Sequence, residues 1–172
     1  MAAALPPVLE APPRCLTSHA VRRSSFAYHG PVLVTEWTFH CATCREDRFE
    51  VDHVLARFAE GEMDPIGIAT RCIPCGRQAV LFDGAFDGYD GELGHWSQLR
   101  GERSQRPLKA PDGSPAGAVR IMVEITYNIA LDELAEIGQE ASVQVRDLFD
   151  WFSFYVAEPG QDWRHVWEWE CA

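Results

Sequence analysis

The chain has six cysteines in 172 residues, and four of them stand in two Cys-x-x-Cys pairs, Cys41/Cys44 and Cys72/Cys75, with 27 residues between the pairs. A thiolate is a borderline-soft ligand, and four of them at about 2.3 Å satisfy the tetrahedral preference of Zn²⁺. One tight Cys-x-x-Cys turn supplies two sulfurs with backbone N–H groups turned toward them. Two such turns, each following a strand, make a zinc ribbon. The expected metal ligands are therefore Cys41, Cys44, Cys72 and Cys75, and the expected cofactor is Zn²⁺. A closed four-thiolate set leaves no open position for water, so its role is structural. Metal-type spacing also argues for a reducing, cytoplasmic setting over a disulfide framework. Cys15 and Cys171 are left over and read as free thiols, with an end-to-end disulfide as the alternative.

Between the pairs lies a second chemical group, Asp52-His53, in "FEVDHVLARFAEGE". With its flanks, "CATC…FEVDHVLARFAEGE…GIATRCIPCGRQ" resembles the zinc-stapled HNH endonucleases over about residues 41–80, including a step of 19 residues from His53 to Cys72. The resemblance implies His53 as the general base that activates water against a phosphodiester. It implies Asp52 as a ligand of a divalent metal. Where the family carries Asn before the second pair and Asn or His after it, this chain has Gly67 and Gly76.

Other constellations are incomplete. "DGAFDGYDGE" offers Asp83 and Asp87 at the first and fifth places of a calcium loop, but Ala85 and Gly94 stand where two ligands are needed. The histidines show no H-E-x-x-H spacing, although His40 adjoins Cys41 as an alternative ligand. There is no phosphate-binding Gly-Lys motif, dinucleotide fingerprint or nucleophile elbow.

The elements that must position the cysteines are legible in part. Leu33, Thr35, Trp37 and Phe39 alternate with their neighbours, predicting a strand Val32–His40 that runs into Cys41. A shorter strand, Ser25–Tyr28, precedes it across a turn at His29-Gly30-Pro31. Residues 49–58 suggest a strand leading into a short helix that ends near Gly61. "GIATRCIPCGRQAVLFD" reads as strand, knuckle, turn at Gly76, and strand. Residues 1–20, with Pro6-Pro7 and Pro12-Pro13, read as a flexible tail, and prolines and Glu10 interrupt any signal-peptide core. Residues 83–117, with four Asp-Gly pairs, read as a loop or linker. A strand is expected within 118–130. A long amphipathic helix is expected from Leu131 through Leu134, Ile137, Ala141, Val145, Leu148 and Phe152 to Val156, and a last strand near Trp163–Trp169. The fold class expected is α+β: a zinc-ribbon lobe at 21–82 packed with an acidic strand–helix–strand unit at 118–172.

Charge bears on partners. The chain carries a net −11; residues 111–172 hold 3 basic against 12 acidic side chains, while residues 1–110 hold 12 against 14. An acidic surface repels phosphate backbones, which disfavours general nucleic-acid binding while leaving a local patch in the near-neutral half possible. No uncharged apolar run reaches the roughly 20 residues of a bilayer span, so a soluble protein is expected. Of 15 basic residues only Lys109 is lysine, which suits a GC-rich bacterial or phage genome. Four of the six tryptophans lie between Trp151 and Trp169, expected either in the core or on a protein-binding surface. The expectation from the sequence is a non-enzymatic, zinc-stabilised adaptor working through protein contacts. The alternative is an HNH-like nuclease or an inactive descendant that binds nucleic acid.

Overall fold

The computed structural model describes residues 5–57, 61–89, 101–128 and 130–171. Among the described residues nine strands follow one another: β1 (Ala20–His29), β2 (Val32–His40), β3 (Phe49–Arg57), β4 (Met63–Cys72), β5 (Gln78–Asp83), β6 (Arg103–Pro107), β7 (Arg120–Tyr127), β8 (Trp151–Ala157) and β9 (Arg164–Glu170). One α-helix, α1 (Leu131–Ala141), interrupts them. All pairings are antiparallel, in a five-stranded sheet ordered β1-β2-β7-β8-β9 and a four-stranded sheet ordered β5-β4-β3-β6. The protein is thus α+β only in the coarse sense, with far more strand than helix. No helix among the described residues is long and apolar enough to cross a membrane.

The alternation in β2 positions the core. Leu33, Thr35, Trp37 and Phe39 are buried while their neighbours are half-buried, the period of two that a one-sided strand imposes. Ile121, Val123, Ile125 and Tyr127 of β7 and Phe152, Phe154 and Val156 of β8 extend the same inner face. Against it the four-stranded sheet sets Phe49, Val51, Ile68, Leu81 and Phe82 in one continuous core. Phe82 stacks on Phe152 with ring centroids 4.2 Å apart. Each fully buried Phe of this kind contributes about 2–3 kcal/mol of transfer free energy. The sheets are therefore joined by direct packing.

Four expectations change. The expected lobe and C-terminal unit interleave: β2 pairs with β7 from Leu33↔Tyr127 to Thr38↔Met122, so N- and C-terminal strands share one sheet. The long helix stops at Ala141, where Ser142 takes the left-handed conformation (φ 56°) and closes the end by donating its N–H to Gln139. Beyond it, Trp151–Ala157 is β8. Phe149, Phe152 and Val156 fit helical steps, but Phe152, Phe154 and Val156 also fit a period of two, and pairing with β7 and β9 selects the strand. Phe49–Arg57 is strand throughout, with no helix before residues 58–60, which lie outside the described residues. The expected loop contains β6, whose sequence RSQRP shows no apolar alternation because nearly all of it is exposed, and among the described residues it pairs with β3 alone. The middle of that loop, 90–100, lies outside the described residues.

The Pro-rich leader contributes to the core as well. Short 3₁₀ turns at Pro7–Leu9 and Arg14–Ser18 bury Leu9 and Leu16, and Arg14 pairs with Asp147 at 2.7 Å. Proline fixes φ near −65° without requiring a backbone donor, which suits such turns while preventing a longer helix.

Candidate metal centre

The four cysteines of the two pairs converge. Their sulfurs all lie within 4.8 Å of one another, with Cys41–Cys75 at 3.5 Å and Cys44–Cys72 at 3.4 Å. Ligands at about 2.3 Å from a tetrahedral centre stand about 3.8 Å apart, so the cluster has the dimensions of a four-thiolate site. Cys41 and Cys72 are buried, Cys44 is half-buried and Cys75 is exposed. Among the described residues no other group joins the cluster, His40 included.

The two knuckles are near copies. Cys41 donates its N–H to Glu46 (2.7 Å) and accepts from Arg45 (2.9 Å); Cys72 donates to Arg77 (2.8 Å) and accepts from Gly76 (2.8 Å). In each, the residue after the second cysteine is left-handed, Arg45 at φ 66° and Gly76 at φ 73°. The turn returns the chain to the carbonyl of its first cysteine, and a Cβ is strained in that conformation. The first knuckle carries the chain from β2 in one sheet to β3 in the other, whereas the second closes the β4–β5 hairpin within one sheet. A cation held by all four sulfurs therefore ties the two sheets at one end. A side-chain bond from Arg77 Nη1 to Thr43 Oγ1 (3.1 Å) links the knuckles directly.

The thiols are electrostatically uneven. Burial pushes the Cys72 thiol up to about 12, and the thiols of Cys44, Cys75 and Cys41 add to the rise. Burial also works to raise Cys41, but N–H groups of Cys44 and Thr43 and the neighbouring thiols outweigh it and hold that group at about 6. Four thiolates cannot coexist at this spacing without a cation, and a divalent ion removes the conflict by deprotonating its ligands outright.

His19, which the sequence does not single out, sits beneath the clip. Its Nε2 is 2.9 Å from Thr70 Oγ1 and its Nδ1 is 2.8 Å from Ser18 Oγ. Its ring meets Phe39 of one sheet and Phe49 of the other edge-on, both at 5.5 Å. Burial, aided by the Arg77 cation, lowers its pKa to about 4, so it is neutral at pH 7. Only its place between partners distant in sequence reveals it.

The Asp-His pair does not form a joint site. Both residues lie in the middle of β3, where successive side chains point to opposite faces. Asp52 borders a surface hollow with Thr70 and Arg71; His53 lies on the other face, edge-on to Trp167 at 6.3 Å. The glycines at the two family positions have backbone reasons. A Cβ on Gly67 would lie 2.3 Å from the carbonyl oxygen of Phe82, and Gly76 has its positive φ.

The acidic motifs are also absorbed structurally. The Asp83 carboxylate pairs with Arg103 and accepts the Ala85 N–H, while Asp87 accepts the Asp83 N–H at 2.8 Å. These bonds close a turn. Gly94, part of the calcium-loop comparison, lies outside the described residues. Asp150, just before β8, is buried and accepts the Asn128 N–H at 2.6 Å. Cys15 and Cys171 are both unbridged. No protein-family model, curated protein or solved structure matches the chain.

Proposed function

We propose that this is a zinc-stabilised, non-enzymatic binding protein that engages a protein partner along the outer edge of β1. The Cys₄ donor set and its two N–H-lined knuckles suit Zn²⁺, which would clamp the sheets and supply stability, not chemistry. The observation that carries the binding role is the edge itself. β1 is ten residues long and, among the described residues, pairs with β2 alone. Its second half is exposed, with Phe26 and Tyr28 36% and 39% accessible and their rings edge-on at 6.5 Å. A long edge with exposed aromatic side chains invites an added strand from a partner, through main-chain hydrogen bonds and side-chain contacts. The occupant proposed is an extended segment of another protein.

The test is affinity capture with mass spectrometry on the wild type and on a Phe26→Lys/Tyr28→Lys double variant. Charged side chains on an edge oppose strand addition. The expected result is a partner retained by the wild type and lost by the folded variant; equal capture by both would reject the edge. Against the nuclease reading stand the opposite faces of Asp52 and His53 and the backbone roles of Gly67 and Gly76. Incubation with DNA and RNA plus Mg²⁺ or Mn²⁺ should give no cleavage. Cleavage lost in His53→Ala would overturn the non-enzymatic reading.

A further inference from the structure

The chain is strongly acidic, yet one cleft is lined on its polar side by basic groups alone. It lies where β6 and β3 of one sheet meet β9 of the other, with a volume of about 320 Å³. Its polar lining is His53, Arg106, Lys109 and Arg164, and its apolar wall includes Leu108 and Val166. Arg106 stands directly across the β3–β6 ladder from His53, so the two side chains share a face. Arg164 opens β9, and Lys109 follows β6. The cluster therefore gathers the only lysine of the chain and two arginines from separate segments. Among the described residues, none of the three cations has a carboxylate within ion-pair distance. The buried Nδ1 of His53 likewise has no hydrogen-bond partner among them.

Like charges gathered without counter-charge repel, and an anion among them relieves that cost. Guanidinium forks match phosphate oxygens in pairs, and lysine adds a point charge. A monoanionic carboxylate would leave two of the three charges uncompensated, whereas a phosphate dianion meets most of them. The volume is at the lower end for small-molecule sites, and the apolar wall suits a small organic group. A nucleic-acid strand would have to continue from the cleft across a surface of net −11. We propose that this cleft binds a small phosphate dianion, free or as a compact phosphomonoester, held by Arg106, Lys109 and Arg164 with His53 at its floor.

The test is an NMR titration of the full zinc-loaded chain at low salt with phenyl phosphate, inorganic phosphate, benzoate and a single-stranded oligonucleotide. Saturable shifts at His53, Arg106 and Arg164 are expected with either phosphate probe. Tighter binding of phenyl phosphate assigns the ester, and equal binding assigns the free ion. Arg106→Gln and Arg164→Gln should each weaken binding about tenfold, while Arg22→Gln, outside the cleft, should leave it unchanged. Arg106 is exposed, so its substitution leaves the core intact. The proposal fails if neither phosphate saturates, if benzoate binds as tightly, or if the two variants bind like the wild type. It also fails if the oligonucleotide displaces phenyl phosphate.

Discussion

The two knuckles share a hydrogen-bond pattern but hold different things. The first, Cys41–Arg45, carries the chain between sheets; the second, Cys72–Gly76, turns a hairpin that β4–β5 pairing already holds. Knuckle geometry is thus portable, and what a metal clip stabilises depends on what its two halves are attached to. In this molecule an ion on the four sulfurs would fasten a crossover to a hairpin, reinforcing a sheet-to-sheet joint that Phe82, Phe152 and their neighbours make by packing.

That difference can be broken from either side. Cys72→Ala removes a buried ligand and leaves three uncompensated thiols, so it should release the metal and cost more than about 3 kcal/mol, read by metal content and denaturant unfolding. Cys41→Ala should match it, because both knuckles are needed for one ion. Gly67→Ala attacks the hairpin alone: its Cβ meets the Phe82 carbonyl, and backbone against backbone has little room to yield. A loss of about 2–4 kcal/mol is expected, with the metal still bound in the folded fraction.

His19 tests the joint beneath the clip. In the unfolded chain it takes up a proton near its ordinary pKa of about 6.5; in the folded protein it does so only near 4. The unfolded state then binds more protons between these values, so stability falls as the pH drops from about 6.5 to 4, by about 1.4 kcal/mol per unit and about 3 kcal/mol in all. His19→Gln should remove this slope. The wild-type-minus-variant difference in unfolding free energy across that range isolates it from acid release of the metal, which both proteins share.

The left-handed residues of the two knuckles, Arg45 and Gly76, occupy matched positions and should respond in opposite ways to substitution. Gly76→Ala places a Cβ in a left-handed turn and should cost about 1 kcal/mol. Arg45→Gly relieves the same strain in the first knuckle and should change stability by less than about 1 kcal/mol, in the favourable direction. Opposite signs for the two changes, measured by thermal melting, would establish the knuckles as equivalent turns.

The cysteine spacing made the four-sulfur cluster legible, and the alternation of Leu33, Thr35, Trp37 and Phe39 made β2 legible, because each is a local pattern with one physical reading. Trp151–Ala157 was not, since its apolar residues satisfy both a helical and a strand period until β7 and β9 decide. β6 carries no apolar signal at all, being an exposed edge held by its pairing to β3. His19 and the basic cleft were hidden for a different reason. Their partners come from segments as far apart as residues 53 and 164, and no spacing rule connects them.

One zinc ion on Cys41, Cys44, Cys72 and Cys75 is the proposed tie between the two sheets. Elemental analysis of the purified protein paired with thermal unfolding before and after chelation tests it most directly. One zinc per chain is expected, lost together with a clear fall in Tm on chelation and absent from Cys72→Ala. A metal-free protein, or one whose Tm is unmoved when its zinc is stripped, would contradict it.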